Sequence, residues 1–262
     1  MKNRELFQRD PVTTPLANNG QARITDSLND QAADELRAEL STFVCEGQYQ
    51  DGILRIVESY LGNLTSTNQP AAWVSGFYGS GKSHLLKMLC HLWVNTEFPR
   101  DGATARSLVP RLPDDVQAVL KELDTRGRQA GGIHAVSGTL PSGSAQSVRL
   151  AILGIILRSK GLPESYAQAR FCLWLRSAGH YESVRRAVES AGKDFARELN
   201  NLYVSPVIAE ALLKADPDFA PDPKQVRMLL KETYPQRDDI STSDFIATMR
   251  EVLSVRNQIP CT

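Results

Sequence analysis

The spacing of apolar residues predicts two helices in the first quarter of the chain. Apolar positions recur three or four residues apart between 28 and 43, which places them on one helical face. These positions are Leu28, Ala32, Leu36, Leu40 and Phe43. Residues 51–61 repeat the pattern and end at Gly62, a residue typical of helix termini. We expect the two helices to pack beside the core that contains the glycine-rich segment 76–83.

Short apolar runs predict strands at 71–75 and 132–140, and a third short strand is predicted at 22–25. Helical patterns at 84–93, 112–123 and 145–160 alternate with the two later runs, and the glycine-rich and arginine-rich segment 125–132 is typical of a flexible turn. Alternation of strands and helices favours an α/β fold.

The strand at 71–75 leads into a segment that fits G-x-x-x-x-G-K-[ST], the phosphate-binding P-loop or Walker A motif. The segment is Gly76-Phe77-Tyr78-Gly79-Ser80-Gly81-Lys82-Ser83. Backbone N–H groups of such a turn, with the N-terminus of the helix that follows, form an anion nest. The motif therefore predicts a nucleotide ligand.

Each residue type in the motif has a chemical reason. Gly79 and Gly81 let the chain turn with no Cβ in the way of a phosphate. Lys82 supplies a mobile positive charge to the β- and γ-phosphates, and the Ser83 hydroxyl is the expected Mg²⁺ ligand. ATP with Mg²⁺ is the predicted cofactor.

Residues 161–254 show one helical pattern after another with no strand between them. The predicted helices are 163–177, 181–190, 194–202, 206–215, 223–233 and 243–255. We interpret 1–70 as an arm with a helix pair, 71–160 as a partial nucleotide-binding core, and 161–257 as a helical subdomain inserted into that fold.

Composition limits the partners. The chain of 262 residues carries 30 Lys and Arg against 30 Asp and Glu, so charge gives no support for DNA binding. The four cysteines stand far apart, and His84 and His91 have no further ligand at metal-site spacing. The longest apolar run, 150–157, is too short for a membrane span, and the charged N-terminus is not a secretory signal. These features predict a cytoplasmic protein with reduced, buried thiols.

An ATPase that hydrolyses also needs a Walker B strand, an apolar run that ends in an Asp holding Mg²⁺. The apolar stretches at 150–157 and 171–175 end in arginine instead. We therefore expect this chain to bind ATP without hydrolysing it, and no catalytic residue is assigned.

The segment 73–89 around the motif, together with the opening Glu5-Leu6-Phe7 and the helix pair, resembles the N-terminal part of the BrxC/PglY ATPases. That family belongs to BREX, a bacterial bacteriophage-exclusion system. The resemblance implies an AAA+-like P-loop NTPase core, partners among other BREX defence proteins, and self-assembly. The nucleotide-binding residues on this basis are Gly76, Gly79, Ser80, Gly81, Lys82, Ser83 and His84.

Members of that family are several times longer, and their Walker B strand follows a helical region. By this analogy, 258–262 begins a truncated strand and the chain is an N-terminal fragment with an incomplete α/β core. The strands at 71–75 and 132–140 are not neighbours in an AAA+ sheet. We therefore expect an incomplete sheet with an exposed apolar edge, or a direct pairing of these two strands.

Two other functions compete with an ATP-binding defence module. A stand-alone small-molecule kinase needs lid segments rich in acids and arginines, and the helical region shows no such set. A non-enzymatic scaffold with a vestigial P-loop would bind partners through the helical subdomain and take up no nucleotide.

Overall fold

The computed structural model describes residues 29–66, 71–140 and 147–254. Across these residues every element of regular structure is a helix, and no strand or sheet occurs. An isolated antiparallel bridge joins Glu97 and Thr104. The predicted α/β fold, with its P-loop NTPase core and helical insertion, is therefore wrong. The chain divides into two compact units, 1–137 and 138–262.

The first unit contains five of the described helices. They are α1 (Asp30–Thr42), α2 (Gln48–Gly62), α3 (Lys82–Val94), α4 (Ala105–Leu108) and α5 (Asp114–Gln129). Asn29 caps α1, because its side-chain oxygen accepts from the Ala32 N–H at 2.8 Å. The helix pair predicted before the loop, the helix after it and the helix opening near 112 are confirmed.

One apolar cluster forms the core of this unit. The face predicted for α1 is buried at Leu36 and Leu40, and it packs in the same cluster as Val57 of α2 and Leu92 of α3. Burial of each such side chain contributes about 1.5–3 kcal/mol relative to exposure. The cluster fixes α1 and α2 against the helix that follows the glycine-rich loop.

The second unit contains the other seven described helices. They are α6 (Val148–Ser159), α7 (Tyr166–Ser177), α8 (Tyr181–Ser190), α9 (Phe195–Leu199), α10 (Pro206–Ala215), α11 (Pro223–Thr233) and α12 (Thr242–Ser254). The helical interpretation of 161–254 is confirmed, and three predicted helices match their bounds residue for residue. The agreement has a local cause: Ser205 and Asp222 cap helices that begin with proline, a residue preorganised for the first turn.

The two strands predicted nearest the motif do not form. Residues 71–75 and 132–140 are irregular, and Trp73 is 90% exposed. An extended segment becomes a strand only when a neighbour takes its N–H and C=O groups, and the described residues offer neither segment such a neighbour. The expected incomplete sheet and the alternative pairing are therefore both wrong. The segments 22–25 and 258–262 lie outside the described residues.

The flexible turn predicted at 125–132 is wrong for 125–129, since α5 continues through Gln129, and the turn is confined to residues 130 and 131. The helix ends in a Schellman motif: the Gly132 N–H donates to Gly127 O at 2.8 Å, and Gly131 has a φ of +92°. Position 127, inside the helix, accommodates a glycine well, because a Cβ there would stand 2.3 Å from Ile133 Cγ2. The glycines therefore end the helix and fold the chain back onto it.

None of the helices within 29–66, 71–140 and 147–254 combines the length and apolar character that a bilayer crossing requires. Among the described cysteines, Cys45 and Cys172 are buried and Cys90 is half-buried, and all three are free thiols. Burial raises the pKa of Cys45 to about 11 and that of Cys172 to about 12. The prediction of buried thiols is confirmed for Cys45 and Cys172.

Candidate functional site

The glycine-rich motif forms an exposed loop that runs directly into α3. The Ser80 N–H donates to Phe77 O at 3.2 Å, which closes a tight turn. Gly79 stands third in that turn with a φ of +79°, the value that a type II turn requires of this position. Phe77 and Tyr78 occupy the tip and are 91% and 105% exposed. The sequence thus folds locally into a compact turn with its tip in solvent.

The first turn of α3 supplies the anion-attracting part of the loop. Gly81 is its N-cap residue with a φ of +80°, and the Leu85 N–H donates to Gly81 O at 2.9 Å. The N–H groups at the start of a helix have no intrahelical acceptor, and they carry the positive end of the helix dipole. A phosphate at this terminus would meet both the free donors and the favourable field.

Lys82 folds back into the loop. Its ammonium donates to Phe77 O at 2.6 Å, to Gly76 O at 2.9 Å and to Ser80 Oγ at 3.4 Å. A lysine ammonium has three donor hydrogens, so these acceptors account for all of them. The loop therefore holds a positive charge at its centre, and the same side chain holds the two ends of the loop together.

The other predicted site residues have different surroundings. Gly76 lies close to the turn, since a Cβ there would stand 2.8 Å from Ser80 Oγ. Ser83 is exposed in the first turn of α3. The His84 ring instead packs edge-on against Phe43, with 5.7 Å between ring centroids. The structure brings Gly76, Ser80 and Lys82 together and directs His84 toward the core.

One residue beside the loop was missed by sequence reasoning. Tyr49, at the start of α2, donates from its hydroxyl to Ser80 O at 3.3 Å. Its ring also packs against Phe43, with centroids 5.9 Å apart. No local pattern points to this contact, because Tyr49 and Ser80 lie 31 residues apart in sequence.

A buried ion pair behind the loop was also missed. Lys87 Nζ of α3 lies 2.6 Å from Glu39 Oε2 of α1, and their side chains are 7% and 4% exposed. The sequence does carry a signal for this pair, since Glu39 falls on the same helical face as Leu36 and Leu40. A charge at a core position of an amphipathic helix predicts a buried partner.

The surroundings of both histidines of α3 favour the neutral imidazole. Burial lowers the pKa of His84, and it lowers the pKa of His91 to about 4. His91 Nδ1 lies 3.0 Å from Thr96 Oγ1. No cluster of three or more His, Cys, Asp or Glu side chains suited to a metal ion occurs in the part of the chain that the structure describes.

No family model matches this chain, and no solved structure matches it significantly. The arrangement around the loop is therefore the basis for a functional conclusion, together with the resemblance of the motif region described above.

Proposed function

We propose that residues 76–83 bind the phosphates of ATP together with Mg²⁺. The observation that carries this proposal is the Lys82 ammonium held within a glycine turn, directly in front of the N-terminus of α3. Anion binding at a helix N-terminus depends on local backbone geometry and on the helix dipole, and it needs no β-sheet. The proposal is therefore independent of the α/β fold.

The residues would divide the work by their chemistry. The N–H groups of the turn and of the first turn of α3 donate to the β-phosphate, and Lys82 exchanges loop carbonyls for β- and γ-phosphate oxygens. Ser83, which is exposed beside this terminus, is positioned to contribute its hydroxyl to Mg²⁺. Gly79 and Gly81 adopt positive φ values that other residues rarely accept.

We propose binding rather than hydrolysis as the role of this chain. Hydrolysis needs a group that orients the attacking water and an acid that holds Mg²⁺ at the end of an apolar strand. The apolar runs 150–157 and 171–175 lie within helices and are followed by arginines. ATP occupancy would then act through conformation or assembly.

The biological setting in this proposal comes from the resemblance to the BrxC/PglY ATPases. On this basis, we propose that the chain is the ATP-binding N-terminal part of a bacterial phage-defence ATPase and that it works in the cytoplasm. Its partners would be other BREX defence proteins or further copies of the chain. DNA is a weaker candidate partner because positive and negative residues balance at 30 each.

Isothermal titration calorimetry of the full chain with ATP and Mg²⁺ tests the proposal. We expect the wild-type protein to bind ATP, Lys82→Ala to lose binding, and Lys121→Ala to bind as the wild type does. Lys121 is a matched control because it is an exposed helical lysine far along the chain from the loop. Ser83→Ala should still bind ATP, but Mg²⁺ should raise its affinity for ATP much less than it raises that of the wild type.

Other results would point to the alternative functions. Absence of ATP binding by the wild-type chain at millimolar nucleotide would overturn the proposal and favour a helical scaffold. Transfer of a phosphoryl group from ATP to a small acceptor would favour a kinase instead. A Lys82→Ala variant with unchanged affinity would exclude the loop as the site.

A further inference from the structure

We propose that Tyr49 is a positioning residue for the loop at 76–83, fixing the peptide between Ser80 and Gly81 in the orientation that anion binding needs. This inference rests on the proposed function of the loop. The direct contact is the hydrogen bond from the Tyr49 hydroxyl to Ser80 O at 3.3 Å. It joins the start of α2 to the residue before the N-cap of α3.

The space around Gly81 shows how closely the tyrosine fits the loop. A Cβ on Gly81 would lie 1.9 Å from Tyr49 Oη and 3.2 Å from Cζ. The φ of +80° at Gly81 separately disfavours any residue with a side chain. A side chain at this position would thus conflict with the backbone conformation, and it would displace the Tyr49 hydroxyl.

Tyr49 is itself held from behind. Its ring packs on Phe43, and Phe43 packs on His84 of α3. These three rings form a cluster that connects the start of α2 to the first turn of α3. The neighbouring Gln50 donates to Asp115 of α5 at 2.7 Å, which ties the start of α2 to a second helix. These contacts restrain Tyr49 against the apolar core of the first unit.

The chemical consequence follows from the planarity of the peptide bond. In a trans peptide the C=O and N–H groups point in opposite directions, and the described residues contain no cis peptide. Because Tyr49 holds the Ser80 carbonyl toward itself, the Gly81 N–H points away from it. A flipped peptide would present a carbonyl oxygen where a phosphate needs a donor. Tyr49 opposes that flip.

The test compares Tyr49→Phe, which removes only the hydroxyl, with Tyr60→Phe in the chain of 262 residues. Tyr60 is a matched control on the same helix, where its ring packs on Trp93 at 4.7 Å. Chymotrypsin cleavage after Phe77 and Tyr78 under native conditions reports loop opening without nucleotide, since cleavage tracks the open population. ATP affinity is the second measurement.

Loss of one hydrogen bond of ordinary strength predicts about five-fold faster cleavage at the loop and about five-fold weaker ATP binding in Tyr49→Phe. Tyr60→Phe should change neither. Unchanged cleavage and affinity in Tyr49→Phe would overturn the positioning role while leaving ATP binding by the wild type intact. If Tyr49→Phe is cleaved faster but the wild-type chain binds no ATP, the proposed function is overturned, while the role of Tyr49 in anchoring the loop is supported.

Discussion

The buried pair of Glu39 and Lys87 gives the sharpest prediction about the first unit. Both side chains are almost inaccessible, and the two charged atoms stand 2.6 Å apart between α1 and α3. Lys87→Met keeps the apolar stem but leaves the carboxylate of Glu39 without its cation. Breaking a buried pair from one side costs about 3–5 kcal/mol, because an uncompensated charge remains in the core.

Hydrogen exchange resolved by peptide measures this loss in the unit where it occurs. We expect protection of α1 and α3 to fall by about 3 kcal/mol, roughly a hundred-fold faster exchange, while α10 in the other unit is unchanged. The control is Arg126→Met, which breaks the exposed pair with Glu122. That pair spans 3.6 Å with side chains 55% and 53% exposed, and such pairs contribute about 0–1 kcal/mol.

A double variant separates the charge from the packing. Glu39→Leu combined with Lys87→Met replaces the pair by apolar side chains, and such replacements are often neutral or stabilising. We expect it to recover most of the protection lost in Lys87→Met. If Lys87→Met costs no more stability than Arg126→Met, the pair of Glu39 and Lys87 is not buried in solution.

Two further predictions concern α3 and its N-cap residue. Gly81→Ala should destabilise the chain to urea by about 1 kcal/mol for the positive φ plus about 1–3 kcal/mol for contact with the Tyr49 hydroxyl, and Tyr49→Phe should relieve the second part only. Strictly additive effects would contradict that contact. Partial burial lowers the pKa of His91 to about 4, against 6.5 for an exposed imidazole, so the free energy of unfolding should fall by up to about 3 kcal/mol as the pH drops from 6.5 toward 4. His91→Gln should reduce that loss, and a urea midpoint that stays unchanged between pH 7.5 and 5 would contradict the lowered pKa of His91.

The helices were predictable because their signals are local. The apolar spacing of α1 and the Asp222–Pro223 start of α11 lie within one or two turns of the residues they organise. The irregular structure of 71–75 was not predictable, because a short apolar run is equally consistent with a strand or with an irregular segment until a pairing neighbour is known. Trp73 is apolar and yet 90% exposed, a result that periodicity does not reveal.

The same distinction applies to the candidate site. The motif predicted a turn at Gly79 and Gly81 that leads into a helix, and the structure has this turn, with positive φ at both glycines and a helix that begins at Lys82. It did not predict Tyr49, whose contact with the loop arises from how α2 packs on α3. The Glu39 carboxylate on an apolar face was visible in the sequence, but its partner Lys87 could be identified only from the packing of the two helices.

The hydrogen bonds of Lys82 set a condition on any ligand of this loop. Its ammonium already satisfies its donors with Gly76 O, Phe77 O and Ser80 Oγ, so a ligand must offer better acceptors than these neutral oxygens. Charge-assisted hydrogen bonds are about twice as strong as neutral ones, and the gain grows with each anionic oxygen that reaches the ammonium. A triphosphate carrying Mg²⁺ meets this condition far better than a monophosphate does. Affinity should therefore fall from ATP to ADP to AMP, and equal binding of all three would show that the base or ribose, rather than the phosphate, is recognised.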